Sequence, residues 1–423
     1  MLFRSVGDSD RKDWASTQEQ PFGKKFIMLL GISPKSDSLM ADDLQQQLEE
    51  ENVPRAASTV DRPPARFAFL DGMRGLAALG IAVYHIWRYE PLPYPAMNCL
   101  PWIVDWVLLR SWVGVQFLLV LSGFVIAFTL RETWVTPREV ASFLGRRIVR
   151  LGPPYWATLA FVLVLHVVNV TWWNLPPSFE EPLTSGRVLA HTAFHQDVLE
   201  ETPLSAAIWT VCIEMQFYVV SVLGWGIAQR LRRRSDRPSP KPSATALMLV
   251  FAPLALVSLV YWNRLDSTEP WVIHFLCSFF LGMVTWWTLD RTVSPFVFMT
   301  SIAIVAGSLA FQWKLENALA LTAALSIFVA GRTGHFHDWL NWRWLQYLGR
   351  ISYSLYLIHY PVSHYLMWIG WRWCDNAPTP VQSSLILLVC LVASIAAGHV
   401  LYVGVEVPAG RWSAWLKAPR PVV

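Results

Sequence analysis

The sequence predicts an all-α fold: a polytopic integral membrane helical bundle of about ten transmembrane helices with both termini cytosolic. Three observations predict it. Of the 423 residues, 54% are hydrophobic and only 15% charged, against about 25% charged in ordinary soluble domains, and mean hydropathy is +0.36. The chain carries 24 Trp, 22 Phe and 12 Tyr, amphipathic rings that collect where a bilayer meets water. Apolar runs near the roughly 20 residues that a bilayer requires recur along its length. The two or three water-facing domains that length alone would suggest need more surface charge than this. The apolar content, the lack of a glycine period and only 5 Cys exclude disorder, collagen and a disulfide scaffold.

Residues 1–65 are polar, with "DDLQQQLEEEN" followed by "RPPAR". They read as a largely disordered cytosolic tail with one short helix near Ala41 to Asn52, and Met28 and Met40 are alternative starts. The early apolar run Phe26 to Ile32 is short for a signal-peptide core and follows acidic residues. The membrane domain occupies 66–412, with spans expected over roughly 69–88, 112–130, 152–171, 207–228, 245–262, 271–289, 295–312, 316–331, 350–370 and 382–403; residues 413–423 form a short cytosolic tail. An even number of spans puts both termini on one side. One set of loops holds fifteen Arg and Lys, from Arg131 to Arg350, and the other holds five: Arg110, Arg187, Arg264, Lys314 and Arg372. The positive set faces the cytosol. The expected location is the cell membrane, the cytoplasmic one if the source is bacterial. Cys99 and Cys374 fall in outside loops, where a disulfide is one alternative in an oxidising compartment. No basic tract interleaved with aromatics points to nucleic acid.

Ionisable residues inside spans carry the functional signal, because each costs about 2.5–3.5 kcal/mol at mid-bilayer. Arg74 and His85 stand eleven residues apart in "FLDGMRGLAALGIAVYHIW", about three helical turns, so they share a face with the His roughly 16 Å deeper. A cation at the cytosolic mouth above a mid-membrane imidazole suits an anionic cofactor whose reactive end reaches inward. A snorkelling Arg with a structurally bonded His is the plain alternative. Glu214, in "IWTVCIEMQFY", lies about two turns inside its span from the outer face, with Tyr218 one turn deeper; it reads as a proton carrier or hydroxyl ligand, or as a carboxyl bonded to a neighbouring helix. His359, in "LGRISYSLYLIHYP", follows Arg350 by nine residues and is also near mid-membrane. Pro361 frees backbone carbonyls one turn back, which offer that His a structural partner. Arg146, Arg147 and Arg150 precede the third span, either as phosphate-gripping forks or as topological anchors. His191 and His195 show helical spacing in an outside loop but match no metal motif, so no metal is expected.

Together these segments resemble the acyltransferase-3 family of integral-membrane acyltransferases over about residues 66–412. Six features occur in order: Arg74-x10-His85; Ser122-Gly123-Phe124; the Arg-rich "RRIVRLGPPYW"; Trp209-x4-Glu214 with Phe217 and Tyr218; "LGRISYSLYLIHYP"; and "VEVP" at 405–408. Gly152, Cys212 and Met215 vary positions beside motif residues without removing one. The resemblance implies a membrane-bound O-acyltransferase moving an acyl group, acetyl above all, from cytosolic acyl-CoA to a hydroxyl of a glycan, a lipid-linked glycan or another envelope or secreted acceptor. No permanently bound cofactor is expected. On that reading Arg74, Arg146, Arg147 and Arg150 hold the donor. His85 is base or acyl carrier, Glu214 acts on the acceptor hydroxyl, and His359 or Tyr356 steadies the oxyanion. Ser122, Trp209, Tyr218 and Tyr353 support them. The competing class is a transporter or flippase using the same buried groups for proton or substrate passage, for which the two halves of the membrane domain show no repeat.

Overall fold

The computed structural model describes residues 67–89, 91–92, 95–96, 101–177, 179, 181–231 and 239–416. The polar tail 1–65, Cys99 with its pairing to Cys374, and the final residues 417–423 lie outside the described set. Among the described residues there is no strand, and thirteen α-helices follow one another. They are α1 (Ala68–Arg88), α2 (Trp102–Leu108), α3 (Gly114–Leu130), α4 (Pro137–Val168), α5 (Ser185–Thr192), α6 (Trp209–Leu231), α7 (Ala244–Val260), α8 (Val272–Leu289), α9 (Pro295–Phe311), α10 (Leu315–Arg332), α11 (Arg343–Trp373), α12 (Pro380–Leu401) and α13 (Val407–Trp415). A π turn, Tyr402–Glu406, joins the last two.

Seven helical segments are long and apolar enough to cross a membrane: those containing α3, α4, α6, α7, α8, α10 and α12. The other three expected spans fall on α9, apolar but only 17 residues long, and on α1 and α11. The latter two carry Asp71 and Arg74, and Arg343, Arg350 and Arg372, which lower their hydropathy. Both bury most of their surface inside the bundle, where polar groups find protein rather than lipid. Helix α4 corrects the expected third span. It begins at Pro137 instead of 152, its N-cap Thr136 accepting from the Glu139 amide, and continues through Pro153 and Pro154. The arginines of "RRIVRLGPPYW" therefore ride on a helix, not a loop.

Helix α8 is the central post, with 83% of its span buried, whereas α12 buries only 28% and turns Leu385, Leu388, Val392 and Val400 outward. Such an apolar exterior suits lipid. Many exposed tryptophans sit at or near helix ends, among them Trp102, Trp134, Trp172, Trp313, Trp342, Trp344, Trp373 and Trp415, where interfacial rings are expected.

Two glycine contacts position the site. Added to Gly123 of α3, a Cβ would lie 2.0 Å from the Phe279 carbonyl oxygen, and on Gly282 of α8 it would lie 1.9 Å from that of Val120. The second contact joins α1 to α11. A Cβ on Gly75 would stand 2.8 Å from the Gly349 nitrogen, and one on Gly349 would stand 2.2 Å from the Asp71 oxygen. Small residues let membrane helices approach backbone to backbone. Ten residues beyond this contact on both helices stand His85 and His359, which touch. Helices α1 and α11 thus run parallel and in register from the glycine pair to the histidine pair.

Candidate active site

A cavity of about 140 Å³ opens between α1, α3, α4, α6, α11 and the π turn. Its charged lining is Arg74, Arg147, Arg150, Glu214 and Glu406. The α4 register sets the arginines apart. Arg147 and Arg150, one turn from each other, reach the cavity. Arg146 instead donates to Ser142 Oγ at 2.9 Å, and its carbonyl accepts from Ser413. Arg147 lies over the Tyr218 and Phe143 rings at 5.0 and 5.4 Å. Among the described residues the guanidiniums of Arg74, Arg147 and Arg150 donate no hydrogen bond. Fifteen directional donors therefore face, or flank, one small space.

Glu214 receives two hydroxyls on one oxygen, Ser122 Oγ at 3.1 Å and the Tyr218 phenol. The Ser-Gly-Phe run of α3 divides its work accordingly. Ser122 reaches Glu214, Gly123 admits the α8 backbone, and Phe124 packs edge-on against Trp286 at 5.3 Å. Across the cavity Tyr353 OH donates to the Leu151 carbonyl at 2.8 Å, and Thr210 Oγ1 donates to Tyr356 OH at 2.6 Å. Glu406 accepts from Ser354 Oγ at 2.5 Å.

The histidines form a separate cluster one turn further along α11. His359 is fully buried and His85 is 8% exposed. His359 Nδ1 meets the Leu355 carbonyl at 3.0 Å, its Nε2 meets His85 Nδ1 at 3.1 Å, and His85 Nδ1 also meets the Ile81 carbonyl at 2.9 Å. Carbonyls only accept, so in the neutral pair both Nδ1 atoms carry protons. His359 Nε2 is then the acceptor for His85, and His85 Nε2 is a basic nitrogen with no hydrogen bond among the described residues. Tyr89 stacks on His85 at 5.7 Å, and Tyr360 closes edge-on at 5.8 Å.

The structure therefore brings Arg74, Arg147, Arg150, Ser122, Glu214, Tyr218, Tyr353 and Tyr356 to one cavity. It pairs His85 with His359 beside that cavity, Tyr356 standing 6.1 Å from the His359 ring. Arg146 points elsewhere. Trp209 lies against Phe275 at 5.7 Å and lines a different cavity. His359 takes its carbonyl from Leu355, not from the turn loosened by Pro361. Glu214 shares its space with the arginines, although its place in the sequence pointed it at the outer face. Glu406 and Thr210 were missed as site residues; the Glu-x-Pro segment at 406–408 was the available signal for the first. Outside the site, His191 staples its loop, Nδ1 to the Arg187 carbonyl at 2.8 Å and Nε2 receiving the Leu204 amide at 3.1 Å.

The profile of the acyltransferase-3 family, described as an acyltransferase domain, matches residues 67–402. The chain belongs to that family. It is a multi-pass membrane O-acyltransferase. BcsY of Komagataeibacter xylinus, named for a membrane-bound transacylase activity, is 25% identical over 321 residues, 71% of this chain and 73% of that one. The peptidoglycan O-acetyltransferase OatA of Listeria monocytogenes is 22% identical over 328 residues, 69% of this chain and 49% of its own. The O-acetyltransferase OatA of Staphylococcus aureus is 22% identical over 343 residues, 69% and 50% respectively. This acyltransferase thus spans about half the length of the OatA proteins. No solved structure matches it.

Proposed function

We propose that the protein transfers an acetyl or other short acyl group from cytosolic acyl-CoA to a hydroxyl of a glycan or another envelope or secreted acceptor. The observation that supports this most is the set of three guanidiniums, none donating a hydrogen bond among the described residues, around one small cavity that also holds Glu214 and Glu406. Planar forks match phosphate oxygens. At roughly 30 Å³ per water in liquid, a cavity of about 140 Å³ suits the thioester head of the donor, its nucleotide remaining at the cytosolic mouth. In the reaction the acceptor hydroxyl oxygen bonds to the thioester carbonyl carbon, the C–S bond breaks, and the hydroxyl proton leaves with the CoA thiol. His85 Nε2 takes that proton and returns it, while Tyr356, whose oxygen already accepts from Thr210, donates its own proton to the oxyanion. Glu214 orients the acceptor or donor through its free oxygen. The acyl-CoA donor is the only cofactor-like partner required.

Arg150→Ala should raise KM for acetyl-CoA about tenfold with kcat little changed, from loss of one charge-assisted contact of ~1.5 kcal/mol. Unchanged donor affinity by calorimetry would return Arg150 to a topological role. The reading also requires ten crossings with both termini in the cytosol. A reporter fused after Asp290 should read cytosolic and one fused at Ser185 should read outside, and a cytosolic reading at Ser185 would remove the donor side from the arginines.

A further inference from the structure

A second cavity, of about 550 Å³, lies on the loop side opposite the arginines. It is built from the start of α3, the connection between α5 and α6, the start of α6, the 261–271 connection and the starts of α8 and α10. The sign of its charge is opposite to that of the first. Asp197, Asp266, Glu269 and Glu316 face Lys314 alone among cations, and Trp112 and Trp209 supply flat apolar walls. The Lys314 ammonium is already engaged by the Asn263 carbonyl. The side chains of Asp266, Glu269 and Glu316 make no hydrogen bond among the described residues, so their oxygens are free acceptors. Burial raises the Asp197 carboxyl above its ordinary range. Burial first, and Asp266 beside it second, raise that of Glu269.

The two cavities abut. Val115 of α3 lines both, and the first turns of α6 divide them: Trp209 and Ile213 face the outer space, while Thr210, Val211 and Glu214 face the inner one. One helix thus presents adjacent residues to a cationic chamber and to an anionic vestibule.

We propose that this vestibule is the acceptor subsite and that it selects an uncharged saccharide over an anionic one. The proposal rests on the acyl-transfer reading above and adds the substrate class. Sugar hydroxyls donate to carboxylates, which offer several lone-pair sites each, and the C–H faces of a sugar ring lie well on tryptophan. A uronate, a phosphate or a sulfate would instead meet four carboxyl groups across a cavity with one engaged lysine. Such uncompensated like charge is the repulsive element that discrimination needs. The acidic vestibule also keeps the polyanionic donor confined to the arginine side.

The test uses the purified full-length protein in lipid nanodiscs with radiolabelled acetyl-CoA. It is offered neutral malto-oligosaccharides and oligogalacturonates of equal length, both at high concentration. The neutral series should be labelled at least about tenfold faster. The double substitution Asp266→Asn with Glu269→Gln should narrow that preference several-fold, while calorimetry shows acetyl-CoA affinity unchanged. Equal or faster labelling of the uronates, or a preference indifferent to the double substitution, would overturn the proposal. So would absence of label in both series while acetyl-CoA still binds, an outcome that leaves the donor site standing. Failure of acetyl-CoA itself to bind would instead remove the acyl-transfer reading beneath it.

Discussion

His85→Gln should lose at least about a hundredfold in acyl transfer while the protein still inserts and still binds acetyl-CoA. The geometry makes the substitution informative. A glutamine amide can donate toward the Ile81 carbonyl and His359 Nε2, as His85 Nδ1 does at 2.9 and 3.1 Å, so packing and hydrogen bonding are largely kept. What it lacks is a basic nitrogen at the position of Nε2, and a positioned base contributes about 10²–10⁴ in rate. His359→Gln should fall less, about tenfold, because His359 acts through its neighbour: it adds a second acceptor on His85 Nδ1, whose proton the Ile81 carbonyl already holds. Its signature would be a displaced pH profile of kcat with KM for acetyl-CoA unchanged, and a pH profile that stays in place would reduce His359 to packing. Radiolabel transferred per inserted protein is the measurement. Retention of more than about a tenth of kcat by His85→Gln would end the base role.

Gly349→Val should be the most damaging change outside the charged residues. Its Cβ would stand 2.2 Å from the Asp71 carbonyl oxygen and 2.8 Å from the carbonyl carbon, backbone atoms that cannot rotate aside. Overpacking commonly costs about 1–3 kcal/mol, and relief here requires α1 and α11 to separate. The histidine pair lies ten residues along the same two helices, so transfer should fall at least tenfold even in protein that remains folded. Gly307→Ala in α9 is the control. Nothing lies within 4 Å of a Cβ there, and alanine favours the helix by about 1 kcal/mol. Thermal unfolding of both variants in detergent tests the contrast, and equal midpoints would mean that the α1–α11 contact is dispensable.

Much of this architecture was legible because the membrane writes itself into composition. Each of the ten apolar runs coincides with a helix, since 20 apolar residues have few other ways to satisfy their backbone. Helix ends were less legible. Helix α4 starts fifteen residues before its apolar part because helix continuation depends on capping at Thr136 and on local propensity, and hydropathy is blind to both. Within the site, Arg74, Arg147, Arg150 and Glu214 stood out as charges in apolar surroundings, and the structure gathers them. The partition between Arg146 and Arg147 depends on helical phase against neighbours, which one strand of sequence does not contain. The His85–His359 contact spans 274 residues. Its traces were that each histidine follows a glycine by ten residues, Gly75 and Gly349, and an arginine at a similar interval, Arg74 by eleven residues and Arg350 by nine.

That contact also has a bearing on biosynthesis. One imidazole is delivered by α1, near the beginning of the membrane domain, and the other by α11, near its end. A ribosome emits the first long before the second. Until α11 has docked against Gly75, His85 has the Ile81 carbonyl of its own helix as partner but lacks the His359 ring. The histidine pair, and the cavity wall formed by Ser352, Tyr353 and Tyr356, are thus completed only when α11 is in place, late in synthesis.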